Sequence, residues 1–541
     1  MPEKTLPDQP NLGQYRKQAR DLLRAHAQAA PGALYRIARH HPRLHNQPQD
    51  AIRTTRFRLA DAQLVVAREH GFESWPKFAS HIEIVRLKGE IGLFSDPAGA
   101  FIEAACVPRQ GHSSGTLHRA EMILAQYPHV AASSIYAAVL VADEVTVRDL
   151  LTRDPASATA TGGPRDWDAL TYLCFSRYLR LDRARSEAFV RTARALLDAG
   201  ASANTGWTEM IDHPNPRPVL EAAIYGAAGI AQHAELTRLL LERGADPNDE
   251  ETPYHVIETR DNTVMKILLE SGKLNERSLS TLLLRKCDWH DPEGLRLVLE
   301  HGADPNSVTG WGHTALHQAV RRDNMLKTIE LLLDYGADPT VLNRDGRSAI
   351  AIAALRGRAD ALDLFERRGT PITLTGVHAL IAACARDHKE AIQSLTAAEP
   401  ELKLEMIELG GTLLAEFSGV GNLAGVRNLL DAGISVTALY REGDGYFGIA
   451  KDSTALQVAA WRASPEVVGE LIARGAPVNA VDGEGRTALQ LAVKACVDSY
   501  WTELRSPDSV RALLAAGASA AGIELPTGYD EVDRLLRQRQ I

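Results

Sequence analysis

Between Asn11 and Ala29 the apolar residues Leu12, Tyr15, Ala19, Leu22 and Leu23 fall near helical spacing, which predicts an amphipathic helix. A second helix is predicted from about Phe57 to His70, stopping at Gly71, and Ser74-Trp75-Pro76 reads as a cap opening a third to about Leu87. Beyond residue 95 the pattern changes to short Ala- and Leu-rich runs alternating with Leu-rich runs that end in Gly. The run Ile135 to Ala142 falls well short of the roughly 18 apolar residues that a bilayer requires, so it predicts a buried helix. A last short helix, Tyr529 to Arg539, follows Pro526-Thr527-Gly528.

The runs repeat. Gly312-His313-Thr314-Ala315-Leu316-His317-Gln318-Ala319 is echoed by Ser453-Thr454-Ala455-Leu456-Gln457-Val458-Ala459 and by Arg486-Thr487-Ala488-Leu489-Gln490-Leu491-Ala492. Downstream of the first comes Glu330-Leu331-Leu332-Leu333-Asp334-Tyr335-Gly336-Ala337-Asp338-Pro339, an ending that recurs at Leu196, Leu239, Leu297, Leu471 and Leu513. In each unit a Thr hydroxyl is suited to cap a thin first helix, a Leu run to form a second, Gly336 to end it in the left-handed region and Pro339 to prevent its continuation. These residues resemble the ankyrin repeat, a unit of about 33 residues with a T-P-L-H-x-A opening. Anchored on Leu316, repeat starts fall near 98, 133, 168, 217, 252, 280, 312, 346, 377, 411, 452 and 485. The resemblance implies an all-α solenoid of stacked helix pairs with finger-like turns over about 95–522, a helical N-terminal cap over 1–94 and a capping helix over 523–541. Residues 6–12 and 60–76 also resemble the N-terminal segment of a group of bacterial ankyrin-repeat proteins.

The register puts Cys106, Cys174 and Cys384 at a small buried position, four residues after Ile102, Leu170 and Leu380, where cysteine serves as a small hydrophobe. No Cys-x-x-Cys exists, and five scattered cysteines make no disulfide framework, so the expected location is cytoplasmic, with no cofactor and no metal. Of 541 residues, 60 are Lys or Arg and 69 Asp or Glu, a net charge of −9. Residues 1–90 carry +6 and the remainder −15, a basic head on an acidic body. Arg16, Lys17, Arg20, Arg53, Arg56 and Arg58 could dock an acidic partner, but without a recognition motif or interleaved aromatics nucleic acid is not an expected ligand.

In the implied fold a concave surface is made by finger positions one and three residues before the capping Thr and by helix positions seven and eight after it. Large rings fall there, with Trp167 and Trp311 on fingers and Phe175, Tyr225 and Trp461 on first helices. Arg321, Arg322, Arg356, Arg386 and Arg462, with Lys494, form a row at the helix positions, and guanidinium groups suit carboxylate or phosphate recognition. Three insertions add rings: Thr205 to Pro218, with Trp207, Glu209, Asp212 and His213; Leu439 to Lys451, with Tyr446 and Phe447; and Cys496 to Asp508, with Tyr500 and Trp501. Long interruptions of a regular unit are often functional.

Catalytic motifs are thin: there is no G-x-x-x-x-G-K-[ST], G-x-S-x-G or H-E-x-x-H. The best polar group is Cys287-Asp288-Trp289-His290-Asp291 with His313, making Asp288, His290 and His313 the weak acid-base candidates. His255 and His317 share the histidine position of the opening motif, where backbone bonding between repeats is expected. The expected function is a scaffold binding a protein or peptide, acidic or phosphorylated in part, across the Arg and aromatic groove, including Trp289. The alternative is a small-molecule sensor or enzyme with a pocket roofed by the insertions.

Overall fold

A computed structural model of the chain describes residues 4, 6, 7, 10–55, 57–91, 95–109, 111–211, 216–499 and 501–538; Arg56, Asp212, His213 and Tyr500 lie outside them. The chain divides into two compact units, Met1–Leu274 and Asn275–Ile541.

The first unit opens with helices Leu12–Ala27, Pro31–His40, Gln49–Thr54, Leu59–Glu69 and Trp75–Ile91. The three predicted helices are present, and Gly71 takes the positive φ that stops the second of them. Pro31–His40 and Gln49–Thr54 were not foreseen; both are short, and the first buries Ala33, Leu34 and Ile37 at helical spacing. Tyr15, Leu22, Leu34, Ile37, Ile52, Val65 and Phe78 form one apolar core for this segment. Inside it Glu69 is buried and held by Arg36 Nε at 2.6 Å and Lys4 Nζ at 2.6 Å. Burial opposes its ionisation, but those two cations prevail and lower its pKa.

Helix pairs follow in the same unit: Pro97–Ala105 with His118–Gln126, Ile135–Leu140 with Glu144–Arg153, Ala169–Cys174 with Ser186–Asp198, and Glu251–His255 with Thr263–Glu270. One first helix, Ala223–Tyr225, continues as a wider π turn over Gly226–Ile230 before its partner Ala234–Glu242. The second unit stacks pairs of the same kind, from Glu276–Asp288 with Pro292–Glu300 to Ala488–Asp498 with Asp508–Ala515, and adds helix Asp530–Gln538.

The repeat residues act as their chemistry requires. Thr314 accepts from His317 N, and Nε2 of His317 lies 3.0 Å from the Arg347 carbonyl of the next repeat. Since a carbonyl only accepts, Nε2 carries the proton and Nδ1 accepts from Thr314. Gly336 has φ 88°, and its backbone and that of Ala337 close the second helix on Leu333 and Leu332. Neighbouring turns are laced by asparagines: Asn306 donates to Gly336 O at 2.9 Å and accepts from Asp338 N at 2.7 Å, and Asn204 and Asn479 make the same pair of bonds. All five cysteines are free and buried, and burial pushes the Cys106 thiol up to about 12. No helix among the described residues is long and apolar enough to cross a membrane.

Candidate functional site

In the second unit the first helices end in a recurring device. Arg322, Arg356, Arg386 and Arg462 are each the C-cap of a first helix and are followed by a residue at positive φ: Asp323, Gly357, Asp387 and Ala463. The cap position aligns the guanidinium groups. Their charge, however, is met from within the chain. Arg322 pairs with Asp288 at 3.0 Å; Arg356 pairs with Asp323 at 2.9 Å and Glu416 at 2.8 Å; Arg462 pairs with Asp323 at 2.9 Å. Arg386 turns back to Asp363 and Glu366. The expected open stripe of arginines is therefore mostly an internal ion-pair network. Arg321 differs: it is exposed, has no carboxylate partner among the described residues, and places Nη1 3.4 Å from His313 Nε2. Lys494 lies over the Trp461 ring.

The insertion Leu439–Lys451 folds onto this network. Leu439–Tyr440 pairs with Ser453–Thr454, a further bridge joins Asp444 to Ile449, and Asp444 accepts from the Tyr446 and Phe447 amides, which sets a tight tip. Arg322 lies 3.7 Å over the Tyr446 ring and Arg462 3.9 Å over that of Phe447. Tyr446 Oη gives its proton to Asp288 O at 2.6 Å, so Nε2–H of His290, 3.3 Å away, is the donor to Oη. Trp461 Nε1 donates to Phe447 O at 2.6 Å, and Trp461 and Trp501 pack edge to face.

Of the acid-base candidates, Asp288 and His290 meet beneath Tyr446. Gln318 and Arg322 both donate to Oδ1 of Asp288 and Arg285 donates to Oδ2, so both carboxylate oxygens are engaged within the chain. Burial lowers the pKa of His290. His313 has other neighbours, Asn343 and Arg321, and burial followed by Arg321 lowers its pKa as well. Burial also lowers that of His317.

In the first unit the rings expected on an open groove are buried instead. Trp167, Phe175, Trp207 and Tyr225 are at most 8% exposed, and Trp461 of the second unit is similarly enclosed. The reason is the first insertion: Gly206–Ile211 and Arg217–Ala222 form an antiparallel hairpin, and Trp207 stacks on Trp167 at 5.2 Å while its edge meets Phe175. Trp289 and Trp311, by contrast, are 38% and 50% exposed.

His255 departs from its expected backbone role. Asp249 accepts from both Thr252 N and Thr252 Oγ1, so the helix starts at Glu251, earlier than the opening motif implies. The shifted register sends His255 between Glu251 at 3.2 Å and Glu258 at 3.1 Å, with its ring over Tyr225. Burial opposes its charge, but these carboxylates raise its pKa to about 9.

One constellation was missed. His112 Nδ1 lies 2.8 Å from Tyr225 Oη and 3.8 Å from Glu221 Oε2, and its Nε2 lies 3.9 Å from Glu209 Oε2. Among the described residues it is the cluster of three or more potential ligands close enough to hold a metal ion. His112 and Tyr225 are 113 residues apart, and no spacing rule links them. The one local signal was the strand Val219-Leu220-Glu221, in which the leucine is exposed and the glutamate buried.

A family model of three ankyrin repeats matches residues 283–375, and a single-repeat model matches 451–483. The chain carries ankyrin repeats. Ankyrin repeats generally mediate protein–protein interaction, and both matched stretches lie in the second unit. Residues of this chain are 33% identical over 94 residues to transient receptor potential cation channel subfamily A member 1 of Homo sapiens, covering 16% of this chain and 8% of that one. They are 25% identical over 245 residues to E3 ubiquitin-protein ligase KEG of Arabidopsis thaliana, covering 41% of this chain and 14% of that one. The chain thus spans a small part of the length of either relative.

Proposed function

We propose that the ankyrin repeats of the second unit bind a protein or peptide partner on the finger face around Trp311 and Arg321, in a cytoplasmic setting that keeps the five buried thiols reduced. The observation that carries this reading is Trp311, half exposed on a finger. Arg344 bonds from the next finger to Gly310 O and Gly312 O, so the exposed Val308 and Leu342 flank the same ridge. Tryptophan and arginine are the residues most often found to dominate interface energy. With four of the arginines engaged by the chain's own acids, Arg321 is the group left to read an acidic or phosphorylated side chain of the partner.

The test is affinity purification with tagged wild type, with the double variant Trp311→Ala and Arg321→Glu, and with Leu404→Ala, which changes an exposed leucine elsewhere in the unit. A partner retained by wild type and Leu404→Ala, and bound at least about tenfold more weakly by the folded double variant, supports the reading. Equal recovery by all three refutes it.

A further inference from the structure

In the hairpin of the first unit, Trp207 lies opposite Glu221 and Glu209 opposite Val219. Alternation along a strand therefore puts Trp207, Glu209, Val219 and Glu221 on one face, and Leu220 on the other. That face is the covered one: Glu221 is 2% exposed, whereas Leu220 is 46% exposed. A carboxylate on a buried face should find donors, yet Glu221 Oε2 has no hydrogen-bond partner among the described residues. Its surroundings add more negative charge. Glu209 lies on the same face of the hairpin, and Glu251 and Asp249 are near enough to act on it. What the site lacks is a cation.

The neighbouring imidazole is set to help hold one. Nε2 of His112 lies 2.8 Å from the Arg109 carbonyl, which only accepts, so Nε2 carries the proton and Nδ1 presents its lone pair toward Glu221 and Tyr225 Oη. The candidate ligand atoms of His112, Glu209 and Glu221 lie within 4.8 Å of one another. Metal bonds of about 2.0–2.2 Å require ligand atoms somewhat closer than that, and Glu209, now 3.9 Å from the protonated Nε2, has to swing toward Nδ1, a movement its 31% exposed side chain allows.

We propose that His112, Glu209 and Glu221 form a binding site for a divalent transition-metal cation of the Zn2+ class, which ties the loop bearing His112 to the hairpin. One imidazole and two carboxylates suit such an ion better than Mg2+, which prefers an all-oxygen octahedral shell. Tyr225 Oη, at His112 Nδ1, would yield that lone pair to the metal.

The test uses the full chain, stripped with a chelator and titrated with Zn2+ by calorimetry, with thermal melts in parallel. Wild type should bind one ion and melt higher with it, and Mg2+ should bind far more weakly. Glu221→Gln and His112→Gln should each weaken Zn2+ binding by at least about tenfold, whereas His45→Gln, at an exposed histidine of the N-terminal segment, should leave it unchanged. Glu221→Gln is expected to fold normally, because the amide is isosteric with the carboxyl and no hydrogen bond to Oε2 is lost. Failure of wild type to bind Zn2+ saturably overturns the proposal, as does wild-type affinity in the folded Glu221→Gln and His112→Gln proteins.

Discussion

Each unit lays an insertion across its first helices, and the two covers treat buried charge in opposite ways. In the second unit the carboxylates under the loop, Asp288, Asp323 and Glu416, all meet guanidinium groups, and aromatic rings of the loop lie on three of those guanidiniums. In the first, Glu221 is buried on the covered face of the hairpin with an oxygen left unsatisfied beside three further carboxylates and an imidazole. Carboxylates paired with guanidiniums specify one arrangement of the chain, whereas a buried carboxylate that meets none is a place where a cation can bind. The contrast locates structure under one cover and a candidate ligand under the other.

The largest effect expected from this contrast follows on breaking the paired network. Asp323→Ala removes a carboxylate shared by Arg356 and Arg462, and loss of one partner from a buried pair costs about 3–5 kcal/mol. Glu221→Gln in the metal-free protein, made for comparison, should cost far less, because no partner is orphaned. Urea unfolding followed by circular dichroism checks both. Equal losses for the two variants would remove the distinction between the covers.

A smaller effect belongs to His255, a paired charge close to Tyr225 in the first unit. Its pKa is raised from 6.5 to about 9, so its stabilisation is fully present below pH 6.5 and is lost as pH rises through about 9. The whole contribution is at most about 3 kcal/mol. His255→Gln should flatten the fall in stability of the wild type between pH 6.5 and 9, and a melt series across that range measures it. An unchanged slope would mean that Glu251 and Glu258 do not hold the imidazolium.

The stacking residues were readable in the chain because each is decided by neighbours a few positions away. Thr314, Thr454 and Thr487 cap their helices from the position their motif implies, and Cys106, Cys174 and Cys384 fill buried sites as the register requires. The site was less readable because its partners come from distant repeats. Nothing near Arg356 in sequence announces Glu416, and nothing near Trp167 announces that a hairpin places Trp207 on it. His255 was misread because a cap at Asp249, three residues before the expected Thr252, moved the register of its helix. A competing local cap overrode the motif at that point.

The smallest predicted change isolates what the loop of the second unit contributes. Tyr446→Phe keeps the ring under Arg322 but deletes the hydroxyl that donates to Asp288 O and accepts from His290 Nε2. A typical hydrogen bond contributes about 1 kcal/mol net, and the loss should appear locally as faster amide exchange at Asp444 to Ile449 with little change in global unfolding. Phe447→Ala, which removes a ring buried between Arg356 and Arg462, should loosen the same segment further. If Tyr446→Phe lowers global stability as much as Asp323→Ala does, the loop belongs to the cooperative core of the stack rather than lying on it. If amide exchange in the segment is unchanged, the cation–ring contacts and the Trp461 bond to Phe447 O hold the cover in place without the hydroxyl, which then serves only to orient His290.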